Sequence, residues 1–322
     1  MRTSLQNIQS PQHMKSSKST ETDHEADFLY VKNYTEQNLN FLKTLTVSDS
    51  CFDVNSVVLD EKMNIGSVLD EMHRSKTTCA LLYANDDSLI GVLDTPDVIR
   101  YFLRYSSAMS SSARRLIRQC IVAEKTTPLS DICKRLCTGI RYIAVESNES
   151  SPRSHRIISQ KAMVKVIVDA AKCDSCLSDL LNQKNACDIK PYGWDTISCN
   201  HRNCARAAFQ IMAAYGVTSL PIVHSENRKM IGVISATDVL YARKDISLLD
   251  KDVCIFVKES REDAENSRDV NCIVSAHCEE TLINILELMM HESVHHVYIV
   301  KDDFPINVVS FVDILRVLCE SM

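Results

Sequence analysis

Residues 217–223 read VTSLPIV, and residues 231–240 read IGVISATDVL, so that a second apolar strand runs into Ser235 and, three positions later, Asp238. In another copy of this pattern, Ala162 stands in place of the Asp. The further copies are GVLDTPD (91–97), IISQKA (157–162) and VVSFVD (308–313). One motif is therefore written four times, and internal repetition of this kind fixes the architecture.

An amphipathic helix is predicted upstream of each copy. Apolar residues recur there at i, i+3, i+4 and i+7, the spacing of one helix face. The four sets are Ile65/Val68/Leu69/Met72, Leu129/Ile132/Cys133/Leu136, Ala208/Ile211/Met212/Tyr215 and Leu282/Ile285/Leu286/Met289. A short β-branched run separates each helix from its motif. The order strand, helix, strand, strand, helix predicts four small α/β domains, with mobile polar loops at 147–155 and 258–269.

Composition excludes several classes of function. A net charge of −6 without a basic stripe argues against nucleic-acid binding. No window holds 18 uncharged apolar residues, so no membrane contact is expected, and the Ser/Thr-rich stretch 1–27 is predicted to be a disordered tail. No secretory signal is visible, so we expect a cytoplasmic or nuclear protein, or both, with its 14 cysteines reduced.

The glycine content bears on phosphate binding. The chain has only 6 glycines, and none are closely spaced. Phosphate-cradling loops need adjacent glycines so that backbone amides reach the ligand. Any phosphate must therefore be held by side chains.

A Ser and an Asp three positions apart can also be a simple helix N-cap. Ser caps well, and an acidic residue at the third position completes a capping box. For a single copy this structural interpretation is favoured, whereas four copies in one context argue for a further role.

The third copy resembles the signature of cystathionine-β-synthase-type (CBS) domains, in which G-V-I-S-x-x-D follows an L-P-V-V strand. Four such units in one chain resemble the gamma subunit of AMP-activated and sucrose-non-fermenting-type protein kinases. In that family the second site lacks its Asp, and here Ala162 occupies that position. Lys161 matches a Lys of the family's second repeat. The pair Ser159-Gln160 is similar to plant gamma-like members.

The resemblance implies a fold and a ligand. The fold would be an α/β (α+β) disc of two tandem modules, with CBS units at 38–105, 115–175, 186–245 and 253–322. The family's motif Asp holds both ribose hydroxyls of an adenine nucleotide (AMP, ADP or ATP), a sound use of a carboxylate acceptor. The nucleotide-binding residues implied are Asp97, Asp238, Asp313, Ser235, Ser310, Arg141, Lys161, His295 and His296. The implied function is a non-catalytic regulatory subunit whose partners are the catalytic (alpha) and scaffold (beta) subunits of a kinase.

Several residues depart from the family. Asp94 replaces a Ser or Thr and brings a second carboxylate to the first site. Thr77 and Gly216 stand where the family often has Arg, and His296 replaces the Arg of the last pair. Since His is mostly neutral at pH 7, we expect weaker or fewer nucleotides than an orthodox gamma subunit holds.

Other interpretations remain open. The departures favour a degenerate CBS scaffold that assembles proteins without nucleotide. A zinc or redox site at Cys173, Cys176, Cys187, Cys199, His201 and Cys204 is disfavoured because the spacing is ragged. His295 and His296 would point to opposite faces of a strand, so they are not expected to share a metal, and His296 could equally be a packing residue. No catalytic constellation can be named, so neither an enzyme nor a metal site is predicted.

Overall fold

The computed structural model describes residues 41–47, 57–105, 109–146, 153–172, 175–189, 196–263 and 273–320. The predicted disordered tail at 1–27 lies outside these residues. Within the described ranges no helix is both long and apolar enough to cross a membrane.

Four three-stranded sheets, one in each repeat, carry the fold. In every sheet the first strand pairs in parallel with the second, and the second pairs antiparallel with the third. Parallel neighbours need a crossover connection, which a helix supplies in each unit. The predicted order of strand, helix, strand, strand, helix is confirmed.

The elements follow this order along the chain. Helix α1 (Phe41–Thr44) precedes the first unit. Unit 1 contains β1 (Val57–Asp60), α2 (Ile65–Arg74), β2 (Cys79–Tyr83), β3 (Leu89–Asp94) and α3 (Thr95–Arg104), followed by a 3₁₀ helix, Ala113–Leu116. Unit 2 contains β4 (Val122–Ala123), α4 (Leu129–Cys137), β5 (Tyr142–Val145), β6 (Arg156–Ser159) and α5 (Gln160–Ala171), followed by α6 (Ser175–Gln183) and α7 (Ala186–Ile189). Unit 3 contains β7 (Cys199–Asn200), α8 (Ala205–Tyr215), β8 (Ser219–Val223), β9 (Met230–Ser235) and 3₁₀ helices Ala236–Arg243 and Ile246–Asp250, followed by α9 (Val253–Asp263). Unit 4 contains β10 (Ser275–Ala276), α10 (Leu282–His291), β11 (His296–Lys301), β12 (Phe304–Ser310) and α11 (Phe311–Glu320).

The predicted apolar faces of the crossover helices are buried in units 1, 2 and 4. The face predicted for unit 3 is partly wrong. In α2, α4 and α10 all four predicted positions are buried. In α8 the predicted Tyr215 is 65% exposed, and Phe209 is buried in its place. The α8 helix ends at Gly216, whose φ of 68° suits a left-handed C-cap, and Tyr215 lies on the outer side of that last turn.

Sheets join units 1 and 2, and sheets also join units 3 and 4. Leu81 and Tyr83 of β2 form a buried cluster with Ala144 and Ile157 of unit 2. At the corresponding junction, the Ser219 hydroxyl and the Tyr298 hydroxyl are 2.5 Å apart. The two sheet-to-sheet pairs are the tandem modules predicted from the sequence.

Helices join the two modules to each other. One large apolar core combines unit 1 with unit 3, and a second combines unit 2 with unit 4. In the second core, α11 packs on α4 and α5. The contacts run from unit 1 to 2, 2 to 4, 4 to 3 and 3 to 1, and so close the ring that a pseudo-symmetric disc requires.

A short arm before each unit packs on the other unit of the same module. Isolated bridges join Thr46 to Pro128, Asn64 to Ser112, Asn185 to Thr281 and Cys204 to Asp252. At each bridge the first amide of the crossover helix donates to a carbonyl of the arm, at 2.8–3.0 Å. Because helix N-termini have unpaired amides, the arm satisfies one of them in every unit. The predicted contiguous domain boundaries stay a proposal, since each folded unit also holds its neighbour's arm.

Two sequence-based expectations need correction. The predicted mobile loop 258–269 is wrong over 258–263, which belongs to α9, a helix with Val253, Phe256 and Val257 buried; residues 264–272 lie outside the described ranges. The cysteines are also not all reduced, because Cys187 and Cys278 form a disulfide that links α7 to unit 4.

Candidate functional site

The motif of unit 1 is closed by two arginines from outside the unit. Asp94 is fully buried and caps α3, while Asp97 completes the capping box. Arg118 Nη2 donates to Asp94 at 2.8 Å, and Arg141 donates to the same carboxylate through Nε and Nη2 at 2.9 and 2.7 Å. Arg141, predicted to face phosphate, is therefore bound to Asp94.

The electrostatics of this cluster are balanced internally. Burial alone would raise the pKa of Asp94, but the guanidinium groups of Arg141 and Arg118 outweigh it and lower that pKa. Burial and the neighbouring Asp94 raise the pKa of Asp97 to about 6. Arg100 and Arg118 pair with Asp97 as well. A nucleotide at this site would have to displace buried, charge-assisted hydrogen bonds.

The motif of unit 2 acts as a helix cap. Ser159 Oγ accepts from the Ala162 amide at 3.1 Å. Gln160 donates through Nε2 to the carbonyls of Leu136 and Ile140, both at 3.1 Å. Ser159 and Gln160 thus stabilise the start of α5, and Lys161 is left partly exposed beside them.

The motif of unit 3 lies beneath α9. Asp238 accepts from the Ser235 amide at 2.7 Å and from the Ser235 hydroxyl at 3.1 Å. Its other carboxylate oxygen accepts from the hydroxyl of Ser260, on α9, at 3.1 Å. Burial raises the pKa of Asp238, while the charge of Arg261 opposes that rise. Both oxygens that a ribose would need are therefore engaged inside the protein.

The motif of unit 4 is the most open of those carrying an Asp. Asp313 accepts from the Ser310 amide at 3.0 Å and from its hydroxyl at 2.5 Å. Its Oδ1 lies 3.7 Å from Arg316 Nη1, one turn further along α11. Among the described residues, these two partners from its own unit are the polar contacts of Asp313, whose side chain is 11% exposed.

His295 and Lys161 lie together beside this motif. The His295 ring packs against Phe311, the first residue of α11, with centroids 5.7 Å apart. His295 is exposed to solvent, and Lys161 lies close enough for its charge to act on the ring. Loss of hydration, together with the charge of Lys161, lowers the pKa of His295 to about 4. At pH 7 it is a neutral hydrogen-bonding group.

His296 faces the other way, as the alternation of a strand requires. Its Nε2 lies 3.1 Å from the hydroxyl of Thr218, across the junction of units 3 and 4. The hydroxyls of Thr78 and Tyr142 make the corresponding contact between units 1 and 2, also at 3.1 Å. The structure thus places His296 in packing between units.

Three residues that shape these sites were not singled out in the sequence. Arg118 follows a short 3₁₀ helix and carries no local signal. Ser260 and Arg261 lie in the segment predicted as a loop, 258–269. Just before it, the i, i+3, i+4 spacing of Val253, Phe256 and Val257 could have indicated a helix.

The chain is similar to known proteins in sequence over part of its length and in fold over most of it. Residues 205–245 and 268–320 match the CBS domain family. A Methanocaldococcus jannaschii protein, described as a proposed archaeal homologue of g-AMPK, superposes with a TM-score of 0.64 at 16% identity, over 84% of this chain and 99% of its own. A Pyrococcus horikoshii protein matches with a TM-score of 0.46 at 17% identity, over 75% of this chain and 91% of its own. A Pyrobaculum aerophilum CBS domain protein complexed with AMP matches with a TM-score of 0.34 at 17% identity, over 40% of this chain and 99% of its own. No curated protein sequence matches the chain.

The family match and the repeated fold together show what the chain is similar to. The matched residues cover units 3 and 4, which carry the Asp238 and Asp313 motifs. Units 1 and 2 repeat the same sheet topology and the same helix order. The chain therefore has the fold of four CBS-type units, and its last two units are similar in sequence to the CBS domain family.

Proposed function

We propose that this CBS-domain protein is the non-catalytic, gamma-like regulatory subunit of a Ser/Thr protein kinase complex, and that it senses adenine nucleotides at unit 4. The observation that carries the proposal is the partly exposed Ser310–Asp313 motif beside Lys161 and His295 within a four-unit fold. Its partners would be the kinase alpha and beta subunits, in the cytoplasm, the nucleus or both.

The unit 4 motif suits ribose chemistry. A carboxylate held by one amide and one hydroxyl keeps lone pairs for further donors, and the two hydroxyls of a ribose supply them. Ser310 holds the Asp313 carboxylate at the start of α11 through its amide and its hydroxyl. The N-terminus of a helix also attracts anions.

The charge of the cleft favours few phosphates. Lys161 can bind a phosphate as a point charge. His295 is neutral at pH 7, and Arg141 is already paired with Asp94. The cleft therefore has less positive charge than the sequence predicted, and we expect AMP to bind at least as tightly as ATP.

Calorimetric titration of AMP, ADP and ATP into the full chain tests the site. Asp313→Ala should weaken AMP binding about 10- to 150-fold, because losing a charged hydrogen-bond acceptor costs about 1.5–3 kcal/mol. The matched control is Asp131→Ala, an acidic residue on α4 whose side chain is 52% exposed, which should bind as the parent does. If Asp313→Ala binds AMP as tightly as the parent does, the nucleotide site does not include Asp313.

The regulatory part of the proposal needs a second readout. Nucleotide regulates a complex only if it binds one state more tightly than another. With co-purified alpha and beta subunits, AMP should change kinase activity in the parent complex and leave it unchanged with Asp313→Ala. A complex that forms but whose kinase activity does not respond to AMP would support the assembly role and contradict the sensing role.

A second candidate function is a CBS scaffold that assembles proteins without nucleotide. The closure of the unit 1 motif by arginines and the cover of α9 over Asp238 favour it. A folded parent that gives no heat with any of the three nucleotides would support this scaffold.

A further inference from the structure

Two cysteines of α4 and one cysteine near the end of α11 meet where unit 2 packs on unit 4. Cys133 and Cys137 lie one turn apart on the same face of α4, and Cys319 lies near the end of α11. Their sulfur atoms all lie within 4.8 Å of one another. Cys319 Sγ is 2.7 Å from Cys137 Sγ and 3.4 Å from Cys133 Sγ. The packing of the two modules thus assembles a cluster of three thiols.

The geometry points to a shared ligand. A disulfide between Cys137 and Cys319 would account for two of the sulfurs and leave Cys133 beside them without a role. Ligand sulfurs in a tetrahedral zinc site lie about 3.8 Å apart, given a metal–sulfur distance of about 2.3 Å. The present separations differ from that spacing by about 1 Å or less, which side-chain rotation can supply.

Burial and charge around the cluster also suit a metal thiolate. Cys133 is fully buried, whereas Cys137 and Cys319 are partly exposed, so the cluster extends from the core toward solvent. Arg316 donates to the Cys137 carbonyl at 3.0 Å, and Lys134 lies on the next position of α4 after Cys133. Three thiolates with one divalent ion carry a net negative charge, which these two cations offset.

We propose that Cys133, Cys137 and Cys319 form a binding site for a thiophilic divalent cation of the Zn²⁺ class. Binding gives three sulfur–metal bonds, each from a sulfur lone pair, and releases the three thiol protons to solvent. No electron is transferred. The bound ion would tie α4 of the first module to α11 of the second, independently of any nucleotide.

Co²⁺ titration of the reduced full chain tests the site, because cobalt bound by thiolates absorbs in the ultraviolet and gives tetrahedral visible bands. The parent should bind one ion with these bands and release it to Zn²⁺. Cys319→Ser and Cys137→Ser should each weaken binding by more than the roughly 10- to 100-fold typical of losing an outer-shell partner. Cys120→Ser and Cys254→Ser, at partly exposed free cysteines outside the cluster, should bind as the parent does.

Thermal unfolding gives a second measurement. Zn²⁺ should raise the melting temperature of the parent and of the two controls, but not of Cys319→Ser, since a ligand that binds the folded state stabilises it. The proposal is overturned by equal cobalt spectra in Cys319→Ser and the parent, or by a reduced parent without thiolate bands. A chain that only oxidises to a Cys137–Cys319 disulfide would overturn it too.

Discussion

At the residue scale, the motif carboxylate has different surroundings in each of the three units that keep it. Asp94 and Asp97 pair with arginines, Asp238 is held by Ser260, and Asp313 contacts Ser310 and Arg316 of its own unit. A motif read along the chain gives the capping geometry, because Ser or Asp at the N-cap and Asp at the third position act locally. It does not give the further partners of the carboxylate, such as Arg141 for Asp94 and Ser260 for Asp238, because these residues are distant in sequence.

His295 provides a pH test at this scale. Its pKa is lowered from 6.5 to about 4 in the folded protein, so between these values the unfolded chain binds a proton that the native state does not. Stability should therefore fall as the pH drops from about 6.5 toward 4. His295→Gln should flatten that part of the profile, as measured by urea unfolding at several pH values.

The control for this test is His277→Gln, at an exposed position just after β10. It should keep the parent's dependence on pH. A His295→Gln profile that matches the parent throughout this range would mean that other groups set the acid sensitivity.

At the element scale, α9 determines whether the unit 3 motif can be reached. The helix lies against β9 and the 3₁₀ helix after it, with Ser260 bonded to Asp238 and Arg261 Nη2 donating to the Val233 carbonyl at 2.9 Å. Arg243 of the 3₁₀ helix also pairs with Asp263, at 2.6 Å. These contacts fix α9 along its C-terminal half.

Ser260→Ala tests the contact between α9 and the motif. The change leaves a buried carboxylate oxygen of Asp238 without its donor, which should lower the free energy of unfolding by about 1–3 kcal/mol. Ser247→Ala is the control, because Ser247 makes a similar serine–carboxylate hydrogen bond, to Asp245, at an exposed site. If chemical denaturation shows equal stability for both variants, α9 does not depend on Asp238 for its position.

Elements were predictable from the sequence to the extent that their signals are local. The helix faces repeat with a period of 3.6 and the strands end at the motif, so the order of elements in all four units could be written down in advance. The second half of α9, Lys258 to Asp263, predicts a loop because it is a polar run, and the apolar residues of the helix lie before it. The contact of Arg118 with Asp94 and the thiol cluster both depend on packing between distant segments, so no local sequence pattern predicts them.

At the scale of the whole molecule, the two modules are held together by helices that would otherwise present apolar faces to water. Units 1 and 3 share one core and units 2 and 4 share the other, so each module supplies half of both. The arms, in contrast, pack within their own module, as the bridges from Thr46 to Pro128 and from Asn64 to Ser112 show. The first module thus contains its own caps but lacks the partner for its helices.

A fragment of residues 41–172 should therefore self-associate. It keeps both sheets and both arms of the first module, and it exposes the faces of α3, α4 and α5 that normally meet the second module. Exposed apolar patches of this kind mark association surfaces, and the pseudo-symmetry of the molecule allows a second copy to take the place of units 3 and 4. Light scattering should find a dimer for the fragment and a monomer for the full chain at the same concentration. Ile314→Glu in the full chain, a charge within the core of units 2 and 4, should loosen the intact molecule. A fragment that stays monomeric and unfolds cooperatively would show that the modules are independent domains that merely touch.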